Sequence, residues 1–276
     1  MEGIYALLLT LGIALVLMLV LKYIFRPREK RTDWLNTLSP TLKWMNAAGS
    51  ILIAANRGTF RYLGGAAIPG GEKNYVPGIK KGLWESWEIQ GHEQALEEMK
   101  SLVHTGMRAR YAEEMRRLEA MYSGYSEEEL IEEAKKTNPN ADEDSYLPRM
   151  LLAWRRYGEN ALLGWDVGRC CLIVQWCFLC GYLSMEEMLD IGVDAGRLAQ
   201  KAFQSWEEMM ESYLLGTQFW QHEDAGDPRS ITAERWALYR DLWSGKGRYR
   251  VIPYMEAPFD LPLSKEVMTD KYGRLP

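Results

Sequence analysis

Histidine is nearly missing from this chain: His92, His104 and His222 are the three among 276 residues. So few imidazoles leave carboxylates as the main candidates for general-base work. No Gly-x-Ser-x-Gly elbow and no His-Glu-x-x-His pair occurs, which removes the hydrolase readings that rest on those motifs. Long Val/Ile/Thr runs of period two are absent beyond the first segment, and with them the signature of strands. A fixed internal repeat is lacking too, which excludes a solenoid. Basic residues do not predominate: 33 Lys and Arg against 38 Asp and Glu give a formal charge of −5. That balance argues against a nucleic-acid partner, which selects for a basic face.

Aromatic residues are plentiful, with 11 tryptophans and 15 tyrosines. Together with abundant Leu, Met, Glu, Lys and Arg they favour helices around an aromatic core. The expected fold class is all-α: a multi-helix globular bundle of roughly eight to ten helices with one N-terminal transmembrane helix. That first segment, residues 4–24, is apolar apart from Thr10, Gly12 and Lys22. It is long enough as a helix to cross about 30 Å of hydrocarbon. A cleaved signal peptide fits poorly, because Met1-Glu2-Gly3 gives no basic start and no small-residue cleavage site follows. Lys22, Arg26, Arg28, Lys30 and Arg31 come after the segment and Glu2 before it, so the globular part is expected in the cytoplasm and the N-terminus outside.

Four regions are expected: a transmembrane anchor (1–25), a basic juxtamembrane linker (26–40), a helical domain (41–250) and an extended proline-containing tail (251–276) laid against the bundle. Ser39-Pro40 supplies a cap for a helix over 41–56. The glycines at 64, 65, 70 and 71 mark a turn-rich loop, without the Lys-Ser/Thr that a phosphate-binding loop requires. Short helices are expected at 83–87 and 93–104, the second stopped by Gly106. Ser126, Ser184 and Ser205, each with glutamate three residues on, read as capping boxes. The polar loop 138–144 is the expected flexible point, and the acidic loop from His222 to Arg229 reads as solvated.

Candidate chemistry concentrates at residues 163–220. On a helical wheel Asp166, Arg169, Cys170, Ile173, Cys177 and Cys180 fall within about 100° of one another, with Trp165 and Trp176 on the flank. Two readings follow from that stripe. It is either a ligand pocket, or an Asp166–Arg169 ion pair in a helix seam with cysteines as small apolar packers. The site residues are therefore Trp165, Asp166, Arg169, Trp206, Tyr213 and Trp220, as pocket or as structural polar core. Cys177 and Cys180 lie mid-helix with no second ligand pair, so neither a metal nor another cofactor is expected. A cytoplasmic address also favours reduced thiols.

Residues 84–220 resemble the bacterial domain-of-unknown-function family 1266. The matching residues are Trp87-Glu88-Ile89, with Ala95, Leu96 and Leu102 before Gly106. They continue in Gly164-Trp165-Asp166-Val167-Gly168-Arg169, Gly181-Tyr182-Leu183, Ser205-Trp206-Glu207-Glu208 and Tyr213-Leu214-Leu215-Gly216 through Phe219-Trp220. The resemblance implies an all-helical domain and brings no biochemical role with it. The anchor and the cysteine cluster depart from its pattern. The functional expectation is a membrane-tethered, non-catalytic protein-interaction or scaffold module with an unidentified protein partner. The alternative is an enzyme or small-ligand sensor with a pocket around Asp166 and Arg169.

Overall fold

Ser39 and Pro40 open the first helix as their types dictate. The Ser39 hydroxyl accepts from Leu42 N at 3.2 Å, and Pro40 sits at the first helical position, where its missing N–H has no partner to lose. The helix does not run to residue 56. It breaks into α1 (Pro40–Ala48) and α2 (Ser50–Ala55) at Gly49. A Cβ on Gly49 would lie 3.0 Å from Leu172 Cβ and 3.3 Å from the Gly168 carbonyl. A close approach by another helix, invisible in local periodicity, makes the break.

The structure is a computed structural model that describes residues 38–66, 72–245, 249 and 251–266. All of these fall in one unit, Thr37–Pro276. The anchor and nearly all of the basic linker expected from the sequence lie outside the described residues.

Among the described residues every regular element is helical. After α2 and a 3-10 turn at Leu63–Gly65 come α3 (Glu72–Trp87), α4 (His92–His104), α5 (Arg108–Tyr122), α6 (Glu127–Lys135) and α7 (Tyr146–Tyr157). A second 3-10 turn, Gly158–Leu162, leads into α8 (Leu163–Leu179), followed by α9 (Met185–Ala202), α10 (Trp206–Gln221), α11 (Ile231–Ser244) and the short α12 (Pro253–Glu256). Helix α3 begins well before the expected residue 83, because Pro77 inside it reads as a breaker yet is accommodated. Ser126 and Ser184 form complete capping boxes. Ser205 forms half of one: its hydroxyl accepts from Glu208 N, while the Glu208 carboxylate accepts from Gln204 N at 2.7 Å instead of from Ser205.

Helix α8 is the axis of the bundle, with α10, α9, α4 and α1 packed around it. The stretch Tyr146–Leu179 is long and apolar enough to cross a membrane, but 78% of its most apolar window is buried in the protein. It is a core helix. Gly164 and Gly168 let the neighbours come close: a Cβ on Gly164 would meet the Met209 carbonyl at 2.2 Å, and one on Gly168 the Ala48 carbonyl at 2.8 Å. A smaller core joins α5, α6, α7 and the end of α10 through Tyr111, Leu130, Met150 and Phe219.

Two loops read as free are held. Asp224 accepts from Tyr146 N at 2.7 Å and from Asn138 Nδ2 at 3.0 Å, so the acidic loop caps α7 and ties down the polar loop 138–144. Glu223 likewise accepts from Thr232 N at the start of α11. The described part of the C-terminal tail, residues 251–266, is laid against the bundle, with α12 interrupting its path. Trp44 Nε1 and Gln200 Nε2 both donate to the Phe259 carbonyl, at 2.9 and 2.7 Å.

Candidate functional site

Asp166 lies one turn into α8 and is fully buried. Burial of a carboxylate demands donors: two hydrogen-bond Oδ1, and a guanidinium stands beside Oδ2, which accepts no hydrogen bond among the described residues. Arg169 Nη2 lies 2.7 Å from Oδ1, the Met107 N–H donates to the same oxygen at 3.0 Å, and Arg108 Nε stands 3.5 Å from Oδ2. Met107 begins α5, so the carboxylate also caps that helix from a distance in sequence. Burial pushes the Asp166 carboxyl above the usual range, against the pull of Arg169, the Met107 N–H and Arg108. The ion pair expected from sequence is present, and Arg108 is a second cation that sequence spacing did not suggest.

Arg169 faces the other way as well. Its Nε donates to the Trp165 carbonyl at 3.2 Å, and its guanidinium lies 4.4 Å from the Trp165 ring and 5.4 Å from that of Trp87. Trp220 stacks on the far side of Trp165, with centroids 5.9 Å apart. The order Trp220, Trp165, Arg169, Trp87 forms one wall of a cavity of about 790 Å³. Tyr213, Arg235 and Trp176 line it too, as do residues of α2, α3 and the Leu63–Gly65 turn. That turn is fastened to α8: Gly64 N donates to Gln175 Oε1 at 2.7 Å, and Trp176 Nε1 to the Gly64 carbonyl at 2.8 Å. Positive φ of 58° at Gly64 and 73° at Gly65 makes the tight approach possible.

Two polar atoms on this wall have no partner among the described residues: Trp165 Nε1 and the Tyr213 hydroxyl. Both side chains are buried, Tyr213 completely. Buried polar groups are nearly always hydrogen-bonded, so two unpartnered donors on one cavity wall are unusual. Burial pushes the Tyr213 phenol up to about 12, with Arg235 and Arg169 close enough to pull it back in part.

Of the expected site residues, Trp165, Arg169, Tyr213 and Trp220 line one cavity and Asp166 stands behind them, holding Arg169. Trp206 is elsewhere. Its ring lies 4.9 Å from Trp44 and 5.1 Å from Phe259, and its Nε1 donates to the Ala257 carbonyl at 2.8 Å. It clamps the C-terminal segment. The cysteines do not line the cavity; all four are free and buried. Burial pushes Cys170 and Cys177 up to about 12 and Cys180 to about 11, which suppresses the thiolate that nucleophilic or metal chemistry needs. Among the described residues no group of three His, Cys, Asp or Glu is placed to hold a metal ion.

The matching stretch of the family model described as "Protein of unknown function (DUF1266)" runs over residues 82–258. The chain belongs to the DUF1266 family. No curated protein and no solved structure matches it. The family stretch holds Trp87, Trp165, Asp166, Arg169, Tyr213, Trp220 and Arg235, whereas the cavity wall built by α2 and the Leu63–Gly65 turn precedes it. Arg235, Arg108, Trp87 and Trp176 are not among the site residues expected from the sequence. Trp87 stands in the family-like motif and Trp176 lies eleven residues after Trp165 on the same helix, whereas the two arginines left no signal.

Proposed function

We propose that this chain is a membrane-tethered, non-catalytic receptor for a small ligand, which binds in the cavity around Trp165, Arg169 and Tyr213. The observation that carries the reading is a concave space of about 790 Å³ lined by Trp165 and Tyr213, two buried side chains that each hold a polar atom with no partner among the described residues. That volume falls within the roughly 300–1,000 Å³ of small-molecule sites. A protein-interaction or scaffold role draws no comparable support, since a concave space with buried unpaired donors suits a small molecule better than a flat partner surface. Binding is favoured over catalysis by the lining, where no described histidine or cysteine stands. Asp166 Oδ1 is taken by Arg169 and the Met107 N–H, with Arg108 beside Oδ2, and Glu85 is exposed beside Lys81.

The test blocks the space. A Cβ on Gly82, in the cavity wall, would meet nothing within 4 Å, so the backbone there admits a side chain and Gly82→Phe sets a ring at the cavity. Naphthalene-2-methanol, followed by saturation-transfer NMR on the full chain in detergent, should bind the wild type and lose its signal in Gly82→Phe at unchanged melting temperature. Equal signals from the two proteins would refute the pocket.

Tethering rests on the apolar run at residues 4–24 and the basic residues after it. The native cysteines are buried, so a single exposed thiol gives a clean probe. Glu143→Cys, on an exposed position, should resist an impermeant thiol reagent in intact cells and react once they are opened. Labelling from outside would reverse the orientation.

A further inference from the structure

We infer that the cavity's ligand carries an oxyanion, a carboxylate or a phosphate, on a flat apolar body, and that the oxyanion end sits against Tyr213, Trp165 and the two arginines. The inference rests on the proposed pocket and specifies what fills it. The polar lining sorts by depth. Of the buried and half-buried polar side chains in the lining, Trp165 Nε1, Arg169 and Arg235 are donors only, while the hydroxyls of Tyr213 and the half-buried Tyr75 can donate or accept. The lining carboxylate and amides, Glu85, Asn56 and Asn74, are at exposed positions, as is Ser86. A ligand end that offers acceptors suits the two arginines and Trp165 and can be met by both hydroxyls.

Charge supports the same end. Asp166 faces Arg169 and Arg108 together. Glu98 of α4 also interacts with Arg169, which pulls its carboxyl down while burial pushes it up. Arg235 has Glu234 at 3.9 Å, an exposed carboxylate that surface solvent screens. Arg169 uses Nε and Nη2 on Trp165 and Asp166, which leaves Nη1 for a charge-assisted bond. The body of the ligand follows from the walls. Trp87 and Trp165 already hold Arg169 between their faces, so a cation would find that cage occupied. Trp176, Trp220 and Ile79 offer flat apolar surface to a neutral ring.

Equilibrium dialysis on the full chain in detergent, with empty micelles as blank, tests this with four probes: naphthalene-2-carboxylate, 2-naphthyl phosphate, naphthalene-2-methanol and inorganic phosphate. Both naphthyl anions should bind about tenfold or more tightly than the alcohol, and inorganic phosphate more weakly than naphthyl phosphate. The stronger naphthyl anion tells which oxyanion the site prefers. Tyr213→Phe and Arg235→Gln should each weaken the anions about threefold or more and leave the alcohol unchanged. Tyr213→Phe should melt no lower than wild type, since it removes an unpaired hydroxyl and keeps the ring. Equal binding of alcohol and anions, blocked by Gly82→Phe, would sink the oxyanion and leave the pocket standing. Free phosphate as tight as naphthyl phosphate, or an anion preference untouched by both variants, would overturn the inference. Failure of all four probes would overturn the pocket with it.

Discussion

Gly106→Ala is expected to cost the protein about 2–5 kcal/mol, because two separate penalties meet at one residue. Gly106 sits at φ 57°, where it ends α4 after its N–H bonds the Ser101 carbonyl at 2.7 Å. An L residue there pays about 1–2 kcal/mol for the left-handed backbone. The added Cβ would also lie 2.0 Å from Asp166 Oδ2, inside any permitted contact. Either the turn or the carboxylate has to move, and overpacking of that kind costs roughly 1–3 kcal/mol more. A moved carboxylate releases the Met107 N–H, so α5 loses its cap as well. Denaturant melts of the full chain in detergent read this directly. A clash with Asp166 makes the two changes non-additive: Gly106→Ala should cost much less in an Asp166→Ala background, where the clash is gone. Equal costs in the two backgrounds would show that strain alone acts and that the contact with Asp166 is immaterial.

Gly106 also shows what local sequence could and could not convey. Its role as the stop of α4 was legible, as were the Ser39, Ser126 and Ser184 caps, since each depends on residues within a turn or so. That a carboxylate from 60 positions on fills the space above it was not, because only the tertiary fold brings Asp166 there. The same limit governs the helices. The first half of α3, which runs through Pro77, was not legible, nor was the interruption at Gly49, where α8 approaches closely enough that an added Cβ would lie 3.0 Å from Leu172. On the wheel, Asp166, Arg169 and the cysteines shared one stripe. Neighbours divide that stripe: Arg169 turns to the cavity, the thiols sink into the core, and Asp166 goes under the α4–α5 turn. Trp165, Tyr213 and Trp220 could be grouped from α8 and α10 because Gly216 lets the helices touch, a Cβ there falling 2.1 Å from Trp165 Cβ. Arg235 could not be grouped with them, since no spacing ties α11 to α8.

Asp166→Ala is expected to be the most damaging change near the site, at about 3–5 kcal/mol. It strands Arg169, Arg108 and the Met107 N–H around an empty space, against a total stability of roughly 5–15 kcal/mol for a typical domain. Asp166→Asn should cost less than that, since the amide oxygen still accepts from Met107 and Arg169, while the charge is lost and the NH2 faces Arg108. The pKa direction supports that ranking. Burial raises the carboxyl's folded value, so the neutral form is relatively favoured in the fold. Asp166 then contributes its full stability below the unfolded carboxylate range, and that contribution is lost as pH rises through the folded value. Acidification from neutral pH toward the unfolded value should therefore raise the wild type relative to Asp166→Asn, which cannot titrate there and serves as the blank for every other group. Alanine and asparagine variants of equal stability would reject this division between acceptor and charge. The ligand site adds an independent reading. With asparagine in place the salt bridge that fixes Arg169 Nη2 at 2.7 Å is gone. Affinity for naphthalene-2-carboxylate should then fall by a larger factor than the small stability loss implies. A variant that folds as wild type and binds as wild type would mean that Arg169 is held by the Trp165 and Trp87 rings alone.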